Sequence, residues 1–257
     1  MKVAAIQHDI AWQDGPATRL RMEPMIAQAA AANARLIVLA EMFATGFSMD
    51  TDAISEDQGG PNEQFLRDLA QQYDVWLIGS VAQWIDSSVA GQTRRAVNVA
   101  VVAGPQGELH RYSKIHPFTY DGEHEHFAAG TDFLTVKIDD LRVSVFICYD
   151  LRFADEFWQR ALETDLYVVP ANWPEPRREH WRALLRARAI ENQAYVLGCN
   201  RVGTVGSKVY TGDSAIIDPL GRTLAEASWV ETVLIADVDP DEVGSVRNQF
   251  PFLADRR

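Results

Sequence analysis

Cysteine and positive charge are both scarce in this chain, and each scarcity removes a class of protein. Cysteine occurs at two positions, Cys148 and Cys199, in 257 residues. That is too few for the disulfide framework of a small secreted domain, so both read as free thiols in a reducing compartment. Against 36 aspartates and glutamates stand 24 lysines and arginines, a net charge of −12. Such a balance argues against a nucleic-acid partner and gives no pull toward anionic membranes. No apolar run approaches the ~20 residues needed to span a bilayer. Met1 to Gln7 begins directly as a strand, without an apolar leader and a small-residue cleavage site, so the expected location is the cytoplasm. No Ser/Gly-rich or Pro-rich stretch is long enough to be a linker, and residues 1–257 read as one domain.

What is present is an alternation of strands and helices. Val3 to His8 reads as a strand, Pro16 to Ala34 as a helix, Arg35 to Ala40 as a buried apolar strand, Asn62 to Tyr73 as a helix and Val75 to Val81 as a strand. That order predicts parallel neighbours joined by right-handed crossovers. Ala96 to Ala103 and Glu108 to Ser113 flank the turn Gly104-Pro105-Gln106-Gly107, and Leu134 to Ile138 pairs with Leu141 to Cys148 through Asp139-Asp140. A helix over Phe153 to Glu163, a strand over Leu166 to Pro170, a helix from about Arg177 to Gln193 and a strand over Ala194 to Asn200 follow. Strands over Thr211 to Asp218, Thr223 to Ala227 and Glu231 to Val238 close the pattern. Each half holds a β-α-β unit, so the expected α/β architecture is a four-layer α-β-β-α sandwich with two mixed sheets. The tail 246–257 carries Phe250, Phe252 and Leu253 beyond the last strand. Those side chains need cover, from their own domain or from a second subunit.

Three chemically active residues fall at strand ends. Glu41 follows five apolar residues, where a carboxylate either pairs with a cation or enters a site, unless it turns out into a surface loop. Lys114 closes a strand just before Pro117, although most lysines are solvated. Cys148 sits where a strand gives way to a helix, the end of an α/β sheet at which ligands bind; the plainer reading is a small buried apolar residue. Together, a carboxylate, an ammonium and a thiol supply a base, a cation for a developing oxyanion and a nucleophile. Cys199, inside Tyr195-Val196-Leu197-Gly198-Cys199 with no acid or base beside it, reads as structural.

Glu41 after Leu36-Ile37-Val38-Leu39-Ala40, Lys114 within Tyr112-Ser113-Lys114-Ile115-His116, and Cys148 within Ile147-Cys148-Tyr149-Asp150-Leu151-Arg152-Phe153 closely resemble the Glu-Lys-Cys triad of the nitrilase superfamily, the carbon-nitrogen hydrolases. The resemblance runs from Lys2 to about Pro251. It includes Ala171-Asn172-Trp173-Pro174 and the stretch Arg186 to Gln193. Gly122 to Phe127, Asn172-Trp173 and Asn248-Gln249-Phe250-Pro251 are similar to the ω-amidase branch, enzymes that hydrolyse the terminal amide of 2-oxoglutaramate and 2-oxosuccinamate. The resemblance implies the same sandwich, a homodimer and no metal. It also implies a second glutamate that supports the lysine, at Glu123 or at nearby Glu125.

The chemistry expected of such a triad is a thioester route. Glu41 accepts the thiol proton, the Cys148 sulfur attacks an amide carbonyl, and Lys114 with the backbone N–H of Tyr149 meets the oxyanion. No cofactor is required. Phe43, Phe118, Asn172 and Trp173 are candidate pocket residues for a small amide substrate, unless the aromatics are ordinary core. Arg152 or Arg201 could hold a distant substrate carboxylate. Two rivals remain: a metal hydrolase built on His116, His124 and His126, and a binding module in which Cys148 is merely buried. Nitrilase, carbamoyl-amine hydrolase and broader aliphatic amidase activities are alternatives within the same triad.

Overall fold

Alternation along the strands decides which side chains meet across the molecule. The computed structural model describes residues 1–86 and 94–256. Its first half supplies strands β1 (Lys2–Gln7), β2 (Leu36–Val38), β3 (Trp76–Asp86), β4 (Arg94–Ala103), β5 (Leu109–Ser113) and β6 (Phe127–Ala128). From the second come β7 (Leu134–Ile138), β8 (Leu141–Val145), β9 (Leu166–Ala171), β10 (Tyr195–Asn200), β11 (Val202–Val205), β12 (Lys208–Ile217), β13 (Thr223–Ser228) and β14 (Thr232–Asp237). One sheet has the order β14-β1-β2-β3-β4-β5 with β6 against β4, the other β11-β12-β10-β9-β8-β7 with β13 against β12. In each, three parallel strands, β1-β2-β3 and β8-β9-β10, are flanked by antiparallel ones. Both sheets are mixed, as the sequence predicts.

The helices are α1 (Gly15–Ala31), α2 (Thr51–Ile54), α3 (Pro61–Tyr73), α4 (Glu123–His126), α5 (Ala154–Arg160), α6 (Arg178–Asn192) and α7 (Pro240–Gln249). In β1 and β2, Val3, Ala5, Leu36 and Val38 join the same core as Val143, Val145 and Val168 of the second sheet. Their neighbours Ala4, Ile6 and Ile37 face the other way, onto Met22 and Ile26 of α1 and Leu66 and Leu69 of α3. On the second sheet's outer side, Phe157 of α5 stacks 4.0 Å from Phe146. There α6 lies so close to Gly198 that a Cβ would come 2.5 Å from Leu185 Cδ1. The next residue, Cys199, turns inward and donates its S–H toward the carbonyls of Ile6 and Val38, 3.3 Å each, so it bridges the sheets. Helix, sheet, sheet and helix thus stack in four layers, and Cys199 is structural.

Several boundaries differ from the sequence reading; β3, for one, runs on to Asp86 rather than ending at Val81. Strand β12 starts at Lys208 rather than Thr211 and forms a hairpin with β11, which polar, glycine-containing residues had hidden. Regular pairing of β8 ends at Val145, and only the Phe146 N–H, 3.0 Å from the Val168 carbonyl, carries the ladder toward Cys148. Helix α7 was not expected; Asp239 caps it by accepting from the Asp241 N–H at 2.9 Å, and Pro240 sits at its first turn. Within the tail, Val246 and Leu253 are buried against their own chain while Phe252 remains 60% exposed; Arg257 lies outside the described residues.

Replacing Phe157 by Ala removes a fully buried ring from between α5 and the second sheet. Urea denaturation should find the variant destabilised by about 3–5 kcal/mol.

Candidate active site

Glu41, Lys114 and Cys148 come from different strand ends, and the fold brings them to one place. Past β2, the chain stays beside β3 through the Leu39 N–H and the Ile78 carbonyl, 2.7 Å, then turns at Met42, whose φ is +42° and whose N–H bonds Ser80 Oγ at 2.7 Å. Glu41 is thereby pinned inward, fully buried. Lys114 leaves β5 with its N–H on the Asn98 carbonyl, 2.9 Å, and its own carbonyl accepts from Gly130 at 2.8 Å. Cys148 opens a short 3-10 turn, Cys148–Arg152, with φ +46°. A left-handed backbone at a non-glycine residue is strained, and here it projects the side chain out of the strand line.

The Lys114 ammonium is 1% exposed and lies 2.8 Å from Glu41 Oε1 and 2.8 Å from Glu123 Oε2. Asn98 Nδ2 donates to Glu41 Oε1 at 2.8 Å and to Glu123 Oε1 at 3.3 Å, holding the two carboxylates around the cation. The second oxygen of Glu41 accepts from the Asn172 N–H at 2.9 Å, and that of Glu123 from the Phe118 N–H. Burial by itself would lower the Lys114 pKa, but the charges of Glu123 and Glu41 outweigh it and raise it. Burial raises Glu123 despite Lys114, with the Glu41 charge adding to the rise. Glu125, by contrast, is exposed on α4, so the geometry distinguishes two glutamates that sequence spacing could not.

Cys148 shares this cluster. Burial pushes its thiol well above the usual range, the Glu41 charge adds to the rise, and the Lys114 ammonium and the Asn172 N–H oppose it. Burial and the Glu41 charge thus favour the neutral thiol over the thiolate. The turn that carries it is fastened by Asp150, which is wholly buried. Asp150 Oδ2 accepts from the Ile147 N–H at 2.9 Å and from the Tyr112 hydroxyl at 2.8 Å, and Oδ1 from the His116 N–H at 2.9 Å. One carboxylate thus ties the residue before Cys148 to residues on either side of Lys114. Burial pushes its pKa up to about 7 against the opposing Lys114 charge and these N–H donors.

A cavity of about 230 Å³ opens onto the cluster. Glu41, Lys114 and Cys148 lie in its wall, and Phe118, Tyr149, Arg152, Asn172 and Trp173 line it. Phe43 does not; it is fully buried in the outer core of the first sheet and stacks on Phe65 at 6.0 Å. Phe47 takes the place expected of it, its ring 5.1 Å from the Lys114 ammonium. Arg201 is also absent from the lining. It is buried behind the site, pairs with Asp9 at 2.6 Å and donates to the carbonyls of Ile10 and Val202. The histidines do not converge on a metal. His124 and His126 are exposed, whereas His116 stacks on Phe153 at 3.5 Å and bonds Glu156 at 2.5 Å. Among the described residues the ligand-like group is His116, Asp150 and Glu156, and both oxygens of Asp150 already accept hydrogen bonds.

Sequence reasoning missed Asn98, Phe47 and the tie through Asp150. An asparagine inside the apolar run Ala96-Val97-Asn98-Val99-Ala100 was the one available signal.

The family description "Carbon-nitrogen hydrolase" matches residues 2–248. The chain belongs to the carbon-nitrogen hydrolase family. Among relatives of this family, Omega-amidase YafV of Escherichia coli K12 is 38% identical over 254 residues, 98% of this chain and 94% of that protein. A 2-oxoglutaramate amidase of Bacillus subtilis is 32% identical over 261 residues, 99% and 97% of the two chains. Among solved structures, the carbon-nitrogen hydrolase superfamily protein XC1258 of Xanthomonas campestris, which carries an arsenic adduct in its active site, superposes with a TM-score of 0.91 at 32% identity, covering 100% of this chain and 97% of its own.

Brief treatment with iodoacetamide followed by mass spectrometry should label Cys148, which lines the cavity, well ahead of the buried Cys199, and labelling should quicken as pH rises. Equal labelling of the two would contradict the accessible position of Cys148. A second expectation concerns Asp150. Because its folded pKa lies above the ordinary 3.8, its contribution favours the folded state fully below that value and is lost as pH rises through about 7. Asp150→Asn should flatten the pH dependence of unfolding free energy across that window, measured by urea denaturation at several pH values.

Proposed function

We propose that the chain hydrolyses the carbon-nitrogen bond of a small amide bearing a carboxylate, of the 2-oxoglutaramate kind, through a thioester on Cys148. The observation that carries this is the buried Glu41-Lys114-Glu123 cluster beside Cys148 in the wall of a cavity lined by Arg152. The names of the Escherichia coli and Bacillus subtilis relatives support the substrate class.

Glu41 takes the thiol proton, and the sulfur forms a bond to the amide carbon. The carbonyl electrons move to an oxyanion, met by the Lys114 ammonium and by the Tyr149 N–H, which sits in the first turn of a helical segment where amides have no partner within the helix. Collapse of this adduct breaks the carbon-nitrogen bond, Glu41 returns its proton to the nitrogen, and ammonia leaves. Glu41 then takes a proton from water, which attacks the thioester; the acid departs and the thiol is restored. Glu123 acts on Lys114, fixing the ammonium in place. Phe118, Trp173 and Asn172 shape the space for the carbon chain, and Arg152 faces the substrate carboxylate. The protein acts as a cytoplasmic homodimer in this reading, with the exposed Phe252 of the tail as a surface for the second subunit.

Ammonia release from 2-oxoglutaramate should exceed that from simple nitriles, carbamoylated amines and glutamine; better turnover of a nitrile or carbamoyl compound would overturn the assignment. Cys148→Ala should keep a native circular-dichroism spectrum and release no ammonia. Lys114→Met should lose at least about 10²–10³-fold in kcat, the usual cost of removing an oxyanion donor.

A further inference from the structure

Four cations line the cavity, and they are not equivalent. Lys114 is held by two carboxylates, and Lys208 is paired with Asp121 at 2.6 Å. Arg152 lies with its guanidinium 4.8 Å over the Trp173 ring and 5.9 Å over that of Tyr149, and its Nη2 is 3.1 Å from His180 Nδ1. Arg177 lies 5.2 Å over Phe118 and 5.8 Å over Tyr120. Among the described residues, no carboxylate is within ion-pair reach of either arginine, and Glu175 in the same lining is bonded to neither. Both are half-buried.

We propose that Arg177, together with Arg152, forms a subsite for the substrate's carboxylate, and that Arg177 sets the preference for anionic over neutral amides. This rests on the amide-hydrolase reading above and extends it to a residue that the sequence pattern did not single out. Two guanidinium groups that cannot discharge repel each other, and burial and the Arg177 charge both disfavour the charged form of Arg152. An anion between them relieves that repulsion. The planar donors of arginine suit a carboxylate, which can accept from both at once. Aromatic rings lie under each guanidinium, and apart from the Arg152 Nη2 contact with His180 their N–H donors remain for a ligand. The subsite lines the same cavity as Cys148. The Phe118 ring beneath Arg177 lies 4.8 Å from the ring of Tyr149, the residue after Cys148, so one pair of rings separates the subsite from the reacting end. In this proposal an acid amide lies with its amide at Cys148 and its carboxylate at the arginines.

The test compares wild type with Arg177→Gln and Arg177→Lys, each checked for a native circular-dichroism spectrum. The readout is kcat/KM for ammonia release from 2-oxoglutaramate and from pentanamide, a neutral amide of the same chain length. Arg177→Gln should lower the acid-to-neutral ratio by about tenfold to a hundredfold, mostly through a higher KM for the acid, and Arg177→Lys should recover part of it. An unchanged ratio, with both substrates affected alike or neither affected, overturns the proposal. Binding is read separately from turnover: glutarate should protect Cys148 from iodoacetamide in wild type and need at least tenfold higher concentration in Arg177→Gln. Protection by glutarate in a wild type that releases no ammonia from 2-oxoglutaramate would reject the substrate reading while retaining the subsite. Absence of any protection, or equal protection in the variant, would reject the subsite.

Discussion

An ammonium can be buried only where carboxylates and hydrogen bonds replace the water it gives up, and that constraint organises the catalytic end of this protein. Lys114 is enclosed by Glu41 and Glu123, with Asn98 bonded to both acids. Each partner depends on the others. Without Lys114, two buried carboxylates would confront each other, and without either glutamate the cation would be short of a counter-charge, an imbalance that typically costs about 3–5 kcal/mol. The pairing also sets the local charge. Burial, with the Glu41 charge adding to it and the Lys114 charge opposing it, raises the pKa of the nearby thiol. The same arrangement that lets the ammonium be buried therefore also sets the charge around the Cys148 sulfur.

The second requirement is relative position, because the ammonium and the sulfur sit on different sheets. Lys114 follows β5 and Cys148 follows β8, and no strand pairing joins those two elements. Asp150 makes the connection instead, reaching from the Cys148 turn to the N–H of His116 and the hydroxyl of Tyr112. The left-handed conformation of Cys148 is sustained by the same carboxylate, which bonds the amide just ahead of it. Cys199 performs the corresponding service deeper in the sandwich, where its S–H meets carbonyls of β1 and β2. The two cysteines thus illustrate opposite uses of one side chain, a sulfur presented to a cavity and a sulfur sealed between sheets.

How much of this could be read from the sequence depended on whether the signal was local. Strand ends were legible because apolar runs stop at Glu41 and Cys148 and a strand closes at Lys114 shortly before Pro117, and the β-α-β order within each half led to two mixed sheets. Convergence of the three residues was not encoded in any period; it came from the resemblance of three separate blocks to one family. Phe43 was misplaced because a tight turn at Met42 separates it from Glu41, so adjacency in sequence became opposite faces in space. Arg201 and Arg152 looked alike as sequence, yet one is consumed by Asp9 and backbone carbonyls while the other borders the cavity. Helix α7 escaped notice because Gly244 and a run of polar residues blur its period, although Asp239-Pro240 carried an ordinary start signal.

That last helix has a consequence for how the molecule is made. Arg247, near its end, donates to the carbonyls of Ala161, Thr164, Asn192 and Gln193, acceptors left open where the outer helical segments of the second sheet finish. On the first sheet, β1 receives its outer neighbour only from β14, and the Lys2-Asp237 bond joins residues 235 apart. Both closures wait on residues 232–249. On the ribosome, the outer edge of β1 and the second helical layer therefore stand incomplete until those residues emerge.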